Sequence, residues 1–420
     1  MMRDTPEDVQ EQKQLLIVKQ PIFDRNKSVW GYRFLVNHVQ EDGNIAGERS
    51  DLELVTEQLA SIFAYRESGA TEIFFVLSVK DETPLEQTAF PLNLANCVLS
   101  MSGEAVNLRQ CSHLADLVRE RGGLLAAEAD DPSDVLEVVL KQCDVVKVSM
   151  AGKNPAEIVT LCQKFKGCSG KLMAANVENW ETYEGARALG FQYFQGSFFG
   201  MPEVKAAKVL QSTSVAKLQL LKALNSPDCG MDELASIIAS DISLSYRILR
   251  YINSASFGFQ TQIKSIQQAV TLLGLKELKH WCTVVVMTDI DSTPKGEEVA
   301  YTALLRARFL SRFAELSTTV TPSPDSMFML GLFSKLDALL SFPMEQALEN
   351  VSLDTNLMDG LCGVPNEYNT LTRMMESIEA GDCSEASKVL KQYAVNCVEM
   401  AAEYMKAATW TSQQLSEMQQ

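Results

Sequence analysis

The stretch VKQPIFDRNKSVWGYRFLVN, residues 18–37, decides how the first half of the chain is read. It reads as two short strands joined by a polar turn, the opening of a folded domain. Four further runs read as strands: EIFFVLSV (72–79), GGLLAAEA (122–129), CDVVKVSM (143–150) and GKLMAANV (170–177). Between them, LELVTEQLASIFAYRES and CSHLADLVRERG carry apolar residues three and four apart, the spacing of amphipathic helices. Strand followed by helix, repeated, indicates a mostly parallel sheet covered by helices. The segment fits a TIM-type barrel somewhat smaller than the usual eight-unit example, with an open doubly wound sheet as the competitor.

After SFFGMPEV the pattern changes. MDELASIIASD, SLSYRILRYINSA, SIQQAVTLLG, LKELKHWCTVVVMTDI and ALLRARFLSRFAEL all read as helices. In the second of these, Leu244, Ile248 and Ile252 recur every four residues and form one apolar stripe. The fold class is therefore α/β plus all-α: a barrel at 15–205, a helical domain at 206–355, and a helical tail at 356–420 packed on that domain. EVKAAKVLQ is a candidate linking helix, and TLTRMMESIEAGDCSEASKVLKQYAV should break into a hairpin at Gly381-Asp382.

Bulk properties narrow the function. The chain has 420 residues and a formal net charge of -17. No basic run is long enough to override that field, which argues against a general nucleic-acid binder. No stretch approaches the roughly 18 consecutive apolar residues of a membrane span. The start, MMRDTPEDVQEQKQ, lacks the apolar core of a signal peptide. Cys97, Cys143 and Cys282 lie in or beside apolar runs, as buried reduced thiols do, and a cytoplasmic location follows.

Chemistry-bearing motifs are sparse. The chain has 3 histidines, His38, His113 and His280, none at metal-ligand spacing from a second His or a Cys. No phosphate-binding glycine loop is present; GCSGKL lacks the spacing. In a barrel, acids at the C-terminal ends of strands would hold a hard cation. Glu128, followed by Asp130 and Asp131, and Glu178 are the candidates there. FQYFQGSFFG (191–200) gathers five aromatics, read here as core rather than as a stacking surface for a base.

KQPIFDRNKSVWGYRFLVN, DVVKVSM and LGFQYFQGSFFGMPE resemble the EAL domain, a barrel that in its active form hydrolyses cyclic di-GMP. LSYRILRYINSASFGFQTQIKSIQQAVTLLGLKELKHW and FMLGLFSKLDALL resemble the HDOD domain, a helical relative of the HD phosphohydrolases without their metal-binding residues. Together the resemblances cover most of residues 15–350, in an order known for two-domain bacterial signalling proteins. The resemblance implies a degenerate site. The glutamate of the Glu-Ala-Leu signature falls on Arg33, the metal-binding asparagine on Leu77 and a further glutamate on Ser100. The paired aspartates fall on Glu128 and Ala129, and the glutamate after them on Ala175. Lys147 and Gln195 match the family's lysine and glutamine. The HD signature needs a His-Asp pair, and between 206 and 355 the only histidine is His280.

These substitutions imply a chain without catalytic residues, bound metal or cofactor, acting as a signal-transduction adaptor through protein–protein contacts. The partner is an unidentified signalling protein or a second copy of the chain. Arg247, Arg250, Lys276, Lys279 and Trp281 are the candidate contact residues. A cyclic di-GMP receptor that binds without hydrolysis is the alternative, and an active phosphodiesterase the third reading.

Overall fold

The computed structural model describes residues 14–39, 45–46, 74–79, 97–102, 116, 118–129, 141–165, 168–203, 212–226, 229–253, 263–349, 351 and 353–419. The helix expected at LELVTEQLASIFAYRES, the linking helix EVKAAKVLQ beyond Glu203, Asp130, Asp131 and His113 lie outside these residues.

The first half is a closed ring of strands. Its members are β1 (Gln14–Asp24), β2 (Val29–Val39), β4 (Phe74–Val79), β5 (Cys97–Ser102), β6 (Leu124–Glu128), β7 (Val145–Ser149), β8 (Lys171–Ala175) and β9 (Tyr193–Gln195). A two-residue strand, β3 (Ile45–Ala46), pairs with the end of β2. β2, β4 and β5 through β9 run parallel to their neighbours, and β1 closes the ring by pairing antiparallel with both β2 and β9. The open sheet is thereby excluded. The expectation of a smaller barrel is corrected to eight ring strands, because the short β5 and the three-residue β9 are members beyond the six runs read as strands.

Alternation along the strands separates two apolar layers. Ile22, Val98, Ala126, Val145, Met173 and Tyr193 form a small inner cluster, with Trp30 stacked on Tyr193 at 4.0 Å. Phe23, Leu99, Leu125, Ala127, Val146, Val148, Ala174 and Phe194 belong to the outer layer. There they meet α1 (Pro155–Lys164) and α2 (Trp180–Ala188) through residues such as Ile158 and Tyr183. Asn154 and Asn179 cap these two helices with their side-chain oxygens. The aromatics of 191–200 are core, as read from the sequence: Phe191, Phe194 and Phe198 are fully buried.

From Ser212 on, every described element is a helix. α3 (Ser212–Leu224), α4 (Met231–Ser240), α5 (Ile242–Ile252), α6 (Ile266–Leu273) and α7 (Leu275–Asp289) lead into the long α8 (Pro294–Leu316). α9 (Pro324–Phe333), α10 (Leu336–Leu340) and α11 (Met344–Leu348) follow, then α12 (Thr355–Leu361), α13 (Glu367–Ala380), α14 (Cys383–Gln392) and α15 (Cys397–Gln419). The hairpin break falls where the sequence puts it, with Gly381 closing α13 at φ 85°. None of these helices is long and apolar enough to cross a membrane.

The two halves share a core. The outer ends of β1 and β2 run past the ring as a two-stranded arm, since β2 pairs with β4 only over Gly31–Arg33 but with β1 as far as Val39. Leu16, Val18, Leu35 and Val39 of this arm are buried in the same cluster as Leu304, Leu371, Met400 and Tyr404. Burying such side chains contributes on the order of 1.5–3 kcal/mol each. Gly381 marks the tightest approach: a Cβ there would stand 2.7 Å from Leu35 Cδ1. Polar contacts reinforce the seam. Tyr32 donates to Glu298 Oε1 at 2.5 Å, Lys19 pairs with Glu298 at 3.3 Å, and Lys335 donates to the Gly200 carbonyl at 3.2 Å.

Candidate functional site

Strand register sets which residues share the barrel interior. Ser100 is paired with Ala126 of the inner layer, and Glu128 with Lys147. Ser100 is buried, and its hydroxyl donates to Glu128 Oε1 at 2.9 Å. Lys147 is also buried, and its ammonium donates to the same oxygen at 2.9 Å. Burial alone would push the Glu128 carboxyl up. The Lys147 charge and hydrogen bond, the Arg33 charge and the Ser100 hydrogen bond together outweigh it and hold the pKa below the ordinary glutamate value. The partner of Lys147 is thus an inward carboxylate. Asp144, the other carboxylate near it in sequence, accepts instead from the Leu125 amide at 2.9 Å.

The other aligned positions divide. Arg33 in β2 is in register with Gln20 and Val76, and its charge reaches Glu128. Ala175 ends β8, buried, two residues beyond the inner-layer Met173. Ala129 packs in the outer layer, and Glu178 is solvent-exposed beyond β8, so neither joins the interior cluster. Leu77 is in register with Leu99, and Ser78 with Ser100. Among the described residues, no three His, Cys, Asp or Glu side chains are grouped as metal ligands.

Gln195 serves a different connection. Its amide donates to Gln20 Oε1 at 2.7 Å, and Gln20 Nε2 donates to the Glu379 carbonyl of α13 at 2.6 Å. The Glu379 carboxylate receives two parallel bonds from Arg306, each 2.6 Å. Arg306 is fully buried and also donates to Ser334 Oγ at 3.2 Å. Burial weakens the charged form of this guanidinium, but Glu379 outweighs that and raises its pKa. Gly331 permits the geometry, because a Cβ there would collide with the backbone of Arg306 and Ala307. The sequence carries a signal for this residue. Arg306 precedes Phe309, Leu310 and Phe313 at spacings of three, four and seven, on the apolar face of its helix.

The residues expected as partner contacts differ in their surroundings. Arg247 is held by Asp289 at 2.6 Å, and Lys279 donates to the Ser226 carbonyl at 3.3 Å. Arg250 is exposed. Lys276, paired with Asp325 at 2.7 Å, and the buried Trp281 line one cleft with His280. His280 stacks on Phe328 with centroids 4.7 Å apart, and burial lowers its pKa despite Asp325 and Glu277 nearby. It has no adjoining aspartate in sequence to complete an HD pair.

A closed barrel with an arm set into an all-helical body defines a two-domain protein. Residues 210–351 match the HDOD domain family. The chain is 26% identical over 414 residues to the uncharacterized protein YuxH of Bacillus subtilis, spanning 94% of this chain and 98% of that protein. It is 24% identical over 406 residues to the cyclic di-GMP phosphodiesterase CdgJ of Vibrio cholerae, spanning 94% of this chain and 92% of that protein. Among solved structures, the Bacillus subtilis YkuI protein, with an EAL domain and in complex with cyclic di-GMP and calcium, aligns at 12% identity and a TM-score of 0.36. That alignment covers 54% of this chain and 72% of YkuI. The chain carries an HDOD domain at residues 210–351, preceded by the strand ring.

Proposed function

We propose that the protein is a non-catalytic signalling adaptor of the cytoplasm, related to the EAL–HDOD proteins of cyclic di-GMP signalling and acting through protein–protein contacts. One observation carries this reading: the interior carboxylate Glu128 is shared between Lys147 and Ser100, with the Arg33 charge beside it. Metal-assisted phosphodiester hydrolysis needs a cation to polarise phosphate and to lower the pKa of the attacking water. Magnesium and calcium take several oxygen ligands, preferably anionic. A unit positive charge about 4 Å from another costs roughly 4 kcal/mol at an effective dielectric of 20, and twice that against a divalent ion. Lys147 and Arg33 both oppose such an ion, and one shared carboxylate does not offset them. Among the described residues, this donor set does not fit a catalytic metal.

A second reading keeps the nucleotide. CdgJ is named a cyclic di-GMP phosphodiesterase, and Arg33 and Lys147 are side chains that suit phosphate. Under that reading the chain is a receptor that binds cyclic di-GMP without hydrolysis. Turnover and titration calorimetry with cyclic di-GMP, in magnesium or manganese, separate the cases. The adaptor reading expects neither turnover nor heat, with a partner protein or a second copy captured by the full chain. Micromolar binding lost in Arg33→Ala or Lys147→Ala moves the assignment to the receptor. Turnover that disappears in Glu128→Ala moves it to the enzyme. The bait has to be the full chain, because Leu16 and Leu35 of the barrel arm complete the helical core.

A further inference from the structure

Gln195 lies on the inner face of the ring. Tyr193, two residues before it in β9, and Ile22, level with it in β1, both belong to the inner cluster. Gln20 stands two residues before Ile22, on the same face of β1. The two glutamines and the last turn of α13 form one hydrogen-bonded chain. It runs from Gln195 Nε2 to Gln20 Oε1 at 2.7 Å and from Gln20 Nε2 to the Glu379 carbonyl at 2.6 Å. The final carbonyls of a helix have no partner within it, so Gln20 caps α13 from the barrel. The other end of the chain is open. Gln195 is 2% exposed, and its Oε1 is buried with no donor among the described residues. A buried acceptor left so is costly, and folding alone does not account for it.

The direction of the chain is fixed by its last member. A carbonyl only accepts, so the Gln20 amide turns its nitrogen to Glu379 and its oxygen to Gln195. Gln195 must then give its nitrogen to Gln20, and its oxygen is left over. Reversal at one link reverses the next. If Gln195 turned its oxygen to Gln20, the Gln20 nitrogen would have to follow it, and the Gln20 oxygen would oppose the Glu379 carbonyl. The cap on α13 would be lost. What the barrel interior offers Gln195 therefore selects between two states. A donor satisfies Oε1 and holds the present direction, whereas an acceptor draws Nε2 and reverses it. The effect reaches beyond the glutamines. The Glu379 carboxylate holds Arg306, and a Cβ at Gly381, two residues on, would stand 2.7 Å from Leu35 Cδ1.

We infer that Gln195 and Gln20 form a polarity relay, through which the hydrogen-bonding character of the group beside Gln195 in the barrel sets the capping of α13. An N–H or O–H presented to Gln195 keeps α13 capped, and an oxygen acceptor uncaps it. The inference goes beyond the adaptor reading, because it gives the barrel a way to pass its state to the helices.

The test is hydrogen exchange with mass spectrometry on the full chain, reading the end of α13 (374–382) against α4 as an internal reference. Gln20→Leu removes the cap and should speed exchange at 374–382 about three- to tenfold. Gln195→Glu, an acceptor only at neutral pH, should reverse the relay and give the same rise. Below about pH 4.3 its carboxyl gains a proton and can donate to Gln20. The rise should then fall back to within about twofold of the parent at the same pH. Gln195→Met keeps the size and leaves Gln20 free to cap, so exchange there should change by less than about twofold. Exchange in α4 should match the parent in every variant. Gln20→Glu accepts from Gln195 but donates to the carbonyl only when protonated. It repeats the pH-dependent rise from the other link and replaces Gln195→Glu if that variant does not fold. No rise in Gln195→Glu, an equal rise in Gln195→Met, a rise that acid does not reverse, or an equal rise in α4 would overturn the relay.

Discussion

Glu128 in the barrel and Glu379 in the helical half each meet a buried cation, and the two arrangements differ in kind. Glu128 offers a single oxygen to Lys147 and Ser100, and all three residues come from strands of one ring. Glu379 grips Arg306 through both oxygens while its backbone carbonyl holds Gln20 of the barrel. The first cluster satisfies groups left inside a closed ring. The second ties α8, α13 and β1 together, so its loss reaches both halves. The lesson is that a buried ion pair matters by what it joins and by what its removal strands, more than by its Coulomb energy.

The sharpest way to break this comparison is at Glu379. Glu379→Ala leaves the Arg306 guanidinium, which has no exposure, without its counter-charge. A stability loss of about 3–5 kcal/mol is expected from urea unfolding of the full chain. Replacing both partners, Arg306→Met with Glu379→Leu, should recover most of it. A loss below about 1 kcal/mol for Glu379→Ala, the range of exposed pairs, would put this cluster on the level of a surface bridge.

The arm gives the next effect. Leu35 is buried among helical-domain residues and touches the site of Gly381. Leu35→Ala should cost about 2–5 kcal/mol through lost transfer energy and the cavity left behind. Because the arm belongs to both halves, barrel and helices should still unfold in one transition, monitored by tryptophan fluorescence and far-UV circular dichroism. Two separated transitions in the parent protein would show that the shared core does not couple the halves.

The smallest effect sharpens the other side of the comparison. The Glu128 carboxyl is held below its ordinary value in the folded state. Such a group stabilises the fold at pH above the unfolded-state pKa, and that contribution is lost as pH falls through the folded-state pKa. Glu128→Gln should therefore be slightly less stable near neutral pH, and its stability should fall less steeply on acidification below about pH 4.3. Denaturant midpoints measured between neutrality and acid pH would check this. Parallel curves for parent and variant would remove the ion pair from the account.

Much of the architecture was legible because helical periodicity is a local property. The apolar stripe of SLSYRILRYINSA became Ile242–Ile252, and LKELKHWCTVVVMTDI became Leu275–Asp289. ALLRARFLSRFAEL extends back to Pro294, where Thr293 caps the helix and proline takes its first position, a start signal lying outside the quoted run. Strand facing was less legible. FFVLSV is apolar at nearly every position, so no alternation fixes which residues share a face, and its register is set by pairing with β2 and β5.

The sequence by itself determined the two-part organisation and the scarcity of histidines. It also contained the pattern that puts Arg306 on an apolar helix face. Only the tertiary structure decided that Lys147 pairs with Glu128, that Gln195 is linked through Gln20 to Glu379, and that the β1–β2 arm lies in the helical core. The division has a physical cause. Period and capping depend on neighbours a few residues apart, whereas which buried charge meets which is set by ring closure and by packing between distant segments.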